Sequence, residues 1–132
     1  MFSENVEVVR RLLGGFNSGD FGALNELDAR AELQDEPRMP GAGWNYGHRG
    51  AVEWAEKLRQ SFGELTFAID QPSEAGNCVV THWRAEGLGK RSGVKVAMAG
   101  YCVFRLAEGK VARVEFFETE GSALAAARNR CR

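Results

Sequence analysis

From residue 65 onward the chain alternates strand-like runs with short breaks, and this rhythm limits what it can fold into. Residues 65–69, 78–87, 94–106 and 111–118 are enriched in β-branched and aromatic side chains. The breaks between the later runs carry Gly76-Asn77, the 87–93 segment with three glycines, and Glu108-Gly109. Breaks of that length suit hairpins, so consecutive strands are expected to pair antiparallel. The first half has a different period. Val6, Val9, Leu13 and Phe16 recur at three or four residues, with Leu12 widening the stripe, behind Ser3 as an N-cap and Glu4 and Glu7 in the first turn. Gly14-Gly15 weakens this helix by roughly 1 kcal/mol per glycine relative to alanine. That cost points to close approach of another backbone or to space for a ligand. Asp20 can cap a short second helix over 21–27, and a third is expected over 51–62, with Glu53 and Lys57 as an i,i+4 surface pair.

Between these helices, residues 31–35 read as a strand that ends in the carboxylate of Asp35, with Glu36 and Pro37 directly behind it. Residues 39–50 form a glycine-rich loop carrying Trp44 and Tyr46, whose exposure suits a pocket lid or packing onto the third helix. A short alanine-rich helix over 122–128 closes the chain, and the tail beyond about 125 is expected to fray. The pattern is one domain, 1–132, of class α+β, with helices on one face of a curved antiparallel sheet.

Composition narrows the function. The 132 residues are 44% hydrophobic and 27% charged, with a formal net charge of −1. That balance gives no general attraction toward nucleic acid. Cys78, Cys102 and Cys131 lack metal-ligand spacing and read as two buried strand thiols plus one near the terminus, so no metal is expected. No apolar run approaches the roughly 20 residues needed to span a bilayer. The start of the chain lacks the pattern of a signal peptide, so a cytoplasmic location is expected.

Phe16-Asn-Ser-Gly-Asp20, Asp35 at a strand end, Tyr46-Gly-His-Arg-Gly50 and Gly109-Lys-Val-Ala-Arg-Val114 follow one another in the element order above. In that order the chain resembles the nuclear-transport-factor-two-like superfamily, and within it the SnoaL-like proteins. The resemblance covers Val6 to Leu124. It implies a cone-shaped, cystatin-like roll in which the sheet wraps around three N-terminal helices and encloses an apolar cavity. Members include ketosteroid isomerases, polyketide cyclases, epoxide hydrolases, dehydratases and noncatalytic binding modules, so function must come from the cavity residues.

The resemblance places Asp35 where isomerase-like members carry a proton-shuttling aspartate. A carboxylate in an apolar cavity has its charged form disfavoured, which suits proton transfer; the plainer alternative is an acid capping the loop before Pro37. The isomerase tyrosine position matches Leu12, and the second acid falls near Gly100 or Cys102, neither of which donates strongly. Steroid isomerisation is therefore not expected. Glu118 shares a strand face with Ala112, Val114 and Phe116 and is a second candidate acid, or else a solvated strand-end glutamate. His82 is a candidate proton partner, although with Val79, Thr81, Trp83 and Ala85 facing the cavity it points outward beside Val80 and Arg84. His48 sits in the loop. Leu12, Phe16, Trp44, Tyr46, Trp54, Trp83, Cys102 and Phe116 are the expected ligand-binding residues. The expected partner is a small hydrophobic molecule bound without a cofactor. It would serve either proton-transfer chemistry (isomerisation, cyclisation or hydration) or noncatalytic binding and sensing. Val80, Val103 and Phe117 on the other sheet face suggest a homodimer through the sheets.

Overall fold

The computed structural model describes residues 3–131. Helix α1 runs Glu4–Ser18. Ser3 caps it by accepting a hydrogen bond from the Val6 N–H at 3.2 Å, and Gly19 ends it at φ 73°, a left-handed conformation that costs glycine nothing. Asp20 accepts from the Gly22 N–H at 2.8 Å and starts a 3-10 helix, Phe21–Glu26, rather than an α-helix. A Cβ on Gly15 would lie 2.0 Å from the Cβ of Ala23, whereas one on Gly14 would meet nothing within 4 Å. Gly15 is therefore the close-approach point between the two helices.

Strand β1 is Leu27–Gln34, β2 is Trp44–Tyr46, and α2 is Gly47–Ser61. The segment expected to be a loop thus contains a short strand and the first turn of the helix. The long strands β3 (Phe62–Ala75), β4 (Cys78–Gly89), β5 (Lys95–Ala107) and β6 (Lys110–Phe117) follow. Among the described residues the six strands form one sheet in the order β2-β1-β6-β5-β4-β3. Neighbours are antiparallel except for the parallel pair β1–β6. Register shifts in the β3–β4 pairing fall between Gly63 and Thr66 and between Asp70 and Ser73. Glu64 and Gln71 take φ of 52° and 51° at those points. Such bulges bend the strand and increase its twist, which curves the sheet.

On the inner face, Val79, Trp83 and Ala85 of β4, Cys102 and Phe104 of β5 and Val114 of β6 pack with Val6, Val9, Leu27 and Ala51. The β4 alternation is the one expected. On β6 a shift between Arg105 and Leu106 of its partner passes over Ala112, so Val111 joins the inner cluster instead.

The outer face differs from expectation. Helix α3, Glu120–Arg130, extends well past residue 125, where fraying was expected. Its Ala123 and Ala127, one turn apart, are fully buried against Val80 and Val103. Tyr101 and Phe117 pack against the same cluster. Cys78 and Cys131 are joined by a disulfide with a Cα separation of 5.6 Å, which corrects the reading of both as thiols. Cys102 alone is free among the described residues. The apolar patch that suggested a dimer is thus covered by the chain's own last helix.

Candidate functional site

The curvature of the sheet leaves two cavities on its inner side. The smaller, about 110 Å³, lies between α1, the 3-10 helix, α2 and the sheet. Leu12, Phe16, Trp54, Trp83, Cys102 and Phe116 all line it. Two of its polar groups are already engaged. Gln34 Oε1 accepts from the Phe116 N–H at 2.7 Å, and Arg59 donates to the Phe16 carbonyl at 2.9 Å. Burial and the charge of Glu115 push the Cys102 thiol well up, so it stays neutral and apolar in character.

The larger cavity, about 310 Å³, lies between α2, the segment after β1 and the inner ends of β3–β5. Asp35, Glu36 and Lys57 supply charge to its lining, and Leu65, Val96 and Met98 are among its apolar residues. The two cavities share Trp54, Phe67, Trp83 and Phe116. These rings form a chain of edge and stacked contacts, with Phe67–Trp83 centroids at 6.0 Å and Trp83–Phe116 at 5.5 Å. An aromatic partition therefore divides the cone.

Asp35 follows the last residue of β1, with its side chain 15% exposed. Its own N–H donates to the Gly43 carbonyl at 2.8 Å, and the Gly43 N–H returns to Oδ2 at 3.0 Å. Asn45 Nδ2 donates to Oδ1 at 2.9 Å. Lys57 Nζ stands 3.4 Å from Oδ2 and 3.2 Å from Asn45 Oδ1. The carboxylate is thus held by a backbone amide, a side-chain amide and an ammonium on the wall of the larger cavity. Those donors orient it.

Asn45 and Lys57 were not among the expected site residues. Lys57 had been paired with Glu53, but Glu53 instead meets Arg49 at 3.2 Å, which frees the ammonium for Asp35. A lysine one turn from an acid gives no sequence signal of which partner wins.

The other candidates lie elsewhere. Glu118 is exposed beyond the end of β6 and lines neither cavity. His82 is on the outer face, 3.2 Å from Asp70 Oδ1 and edge-on to Tyr101; it does not share a cavity with Asp35. His48 Nε2 lies 2.9 Å from the Leu27 carbonyl and supports the start of α2. The expected aromatic lid is also corrected. Trp44 sits in β2 with the Arg113 guanidinium 4.3 Å over its ring, and Tyr46 is 63% exposed. Neither lines a cavity, because pairing Gln34↔Trp44 and Glu32↔Tyr46 fixes the segment at the sheet edge.

The profile of the SnoaL-like domain family matches residues 9–114. No curated protein matches the chain in sequence. Among solved structures, an NTF2-like protein of unknown function from Burkholderia pseudomallei superposes with a TM-score of 0.77 at 17% identity, over 94% of this chain and 97% of that one. A putative SnoaL-like polyketide cyclase from Jannaschia superposes at 0.73 with 21% identity, over 98% and 94%. A hypothetical protein with a ketosteroid isomerase-like fold from Catenulispora acidiphila, solved with trimethylamine, superposes at 0.74 with 14% identity, over 90% of each chain. At these identities the likeness is one of fold.

Proposed function

This chain belongs to the SnoaL-like domain family, and we propose that it binds a small, largely apolar molecule inside its cone without a cofactor. The observation that carries this reading is the pair of adjoining cavities with a shared wall of Trp54, Phe67, Trp83 and Phe116. Apolar, concave sites with a few placed polar groups are the usual form of a small-molecule site. The bicyclic hydrocarbon tetralin is a suitable probe. It should bind the wild-type protein, and Trp54→Ala should weaken it; native mass spectrometry of gently purified protein should carry a lipophilic adduct. A protein that takes up neither would overturn the reading.

A second reading is proton transfer on a carbonyl compound, with Asp35 as base. It is favoured by the position of Asp35 on the larger cavity beside Lys57. A cationic neighbour suits the negative charge that develops on an enolising substrate. In D2O, the protein should speed exchange of the α-protons of 2-tetralone above the buffer rate, and Asp35→Asn should remove that increment. Exchange that is equal in both proteins would leave binding alone.

A homodimer remains a proposal on different ground. The exposed outer-face residues beyond α3, such as Thr66, Ala68, Ala97 and Ala99, are the surface it would use, and sedimentation velocity would test it. No helix among the described residues is long and apolar enough to cross a membrane; cytoplasmic location likewise stands as a proposal, in tension with the disulfide.

A further inference from the structure

Arg59 stands in the last turn of α2 and lines the smaller cavity, where it is the single cation among the described residues. Its Nη2 donates to the Phe16 carbonyl at 2.9 Å, and the guanidinium carbon lies 5.4 Å from the centre of the Phe16 ring. The bond to Phe16 uses one of the five N–H groups of a guanidinium. Arg59 forms no ion pair with any described residue. Lys57, the cation of the larger cavity, is in the opposite condition, 3.4 Å from the Asp35 carboxylate.

A charge beside apolar surface favours a partner of opposite sign, because water screens it less there. The protein supplies none to Arg59. Asp20 lines the same cavity, but its Oδ1 accepts from the Gly22 N–H at 2.8 Å and caps the 3-10 helix. Leu12, Leu24, Val52 and Trp54 make much of the remaining wall apolar. Phe21 also lines the cavity while 55% exposed, so the cavity opens to solvent at the start of the 3-10 helix. A Cβ at Gly19, two residues earlier, would lie 3.6 Å from Arg59 Nη2. The guanidinium therefore stands at that opening.

We propose that Arg59 recognises the carboxylate of a small apolar acid whose hydrocarbon part fills the smaller cavity. The apolar part lies against Leu12, Leu24 and Trp54, and the carboxylate stays at the opening on the unused N–H groups of Arg59. A guanidinium offers a carboxylate two parallel N–H bonds, which fix orientation as well as charge. An apolar cavity of about 150 Å³ takes a benzene ring. One of about 110 Å³ then suits a single ring or a chain of a few carbons that keeps its polar end outside. The inference rests on the proposed binding in the cone and adds to it the charge of the ligand and the end by which it is held.

Phenylacetate and phenylacetamide are matched probes, alike in ring and size, one an anion and the other neutral. Calorimetric titration of the full chain should show phenylacetate binding about tenfold more tightly, the margin of a charge-assisted bond over a neutral one. Arg59→Gln should bring the two probes to within about twofold of each other. Arg59→Lys, which keeps the charge without the paired N–H geometry, should fall between. In the ¹⁵N-labelled wild type, the Arg59 Nε–H signal, assigned through its own side-chain carbons, should shift strongly with phenylacetate and little with phenylacetamide. That measurement decides the matter if Arg59→Gln folds poorly. If tetralin binds but the wild type does not prefer the acid, or the preference survives Arg59→Gln, the Arg59 site is overturned and binding in the cone stands. If neither tetralin nor phenylacetate binds, the proposed cone binding fails and the Arg59 site fails with it.

Discussion

Breaking the Cys78–Cys131 bond should cost the fold about 4 kcal/mol. The bond spans a sequence separation of 53 residues. Constraining a loop of that size in the unfolded chain is worth about 4 kcal/mol at 25 °C on the chain-entropy relation. Domains of this kind have a total stability of about 5–15 kcal/mol, so one bond carries a large share. Two perturbations reach the same state: reduction of the wild type, and Cys131→Ala. Urea unfolding followed by tryptophan fluorescence should give coincident midpoints for the reduced and substituted proteins, both well below that of the oxidised protein. Hydrogen exchange should show the loss of protection first in α3, whose other fully buried side chains are the small Ala123 and Ala127. Thiol titration in guanidinium should find one free thiol before reduction, that of Cys102, and three afterwards. Three thiols without reductant, or a Cys131→Ala protein within about 1 kcal/mol of the oxidised wild type, would refute the reasoning. The experiment also bears on location, because glutathione-buffered compartments keep such bonds reduced.

The paired glycines of α1 should respond in opposite directions. Gly15→Ala forces a methyl to within 2.0 Å of Ala23 and should destabilise by about 1–3 kcal/mol through overpacking. Gly14→Ala meets open space and should stabilise by about 0.5–1 kcal/mol through helix propensity; both are read from thermal unfolding, and equal effects would contradict the contact. Burial raises the Cys102 thiol above its ordinary value of 9.0. The folded chain then keeps a proton that the unfolded chain releases, so stability is intact below about pH 8.5 and falls above it by up to about 1.4 kcal/mol per pH unit. Cys102→Ala should abolish that component in urea midpoints measured from pH 8 to 10. Trp44→Ala should lower stability by about 1 kcal/mol, through loss of the Arg113 contact and edge-strand packing, and leave tetralin binding unchanged; a large loss of binding would restore the lid.

The regular strands were legible because burial on one face enforces a period of two. Val79, Trp83 and Ala85 went inward and His82 outward as their alternation required. The same rule misassigned Ala112, since a bulge opposite Arg105 and Leu106 slips the pattern by one residue and bulges leave little local trace. Strand β2 is three residues long among glycines, too short for periodicity to register. Helix α3 was underestimated because alanine carries little amphipathic contrast, yet small side chains are what let a helix lie close on Val80 and Val103. Asp35 was found from its strand-end position. Its partners Asn45 and Lys57 were not, because a three-way polar contact among a strand end, an edge strand and a helix exists only after folding.

The parallel pairing of β1 with β6, Leu27 beside Val111 and Leu33 beside Val114, sets the order in which this protein can come into being. A ribosome releases β1 well before β6, the strand that covers its inner edge. Until then the first half holds Leu27, Ala31 and Leu33, all buried in the finished fold, with an open edge. Nascent chains in that condition attract chaperones and stray strands. Translation must therefore pass β6 before the cone can close. Premature termination anywhere before β6 should yield no smaller version of the protein, only a chain for degradation.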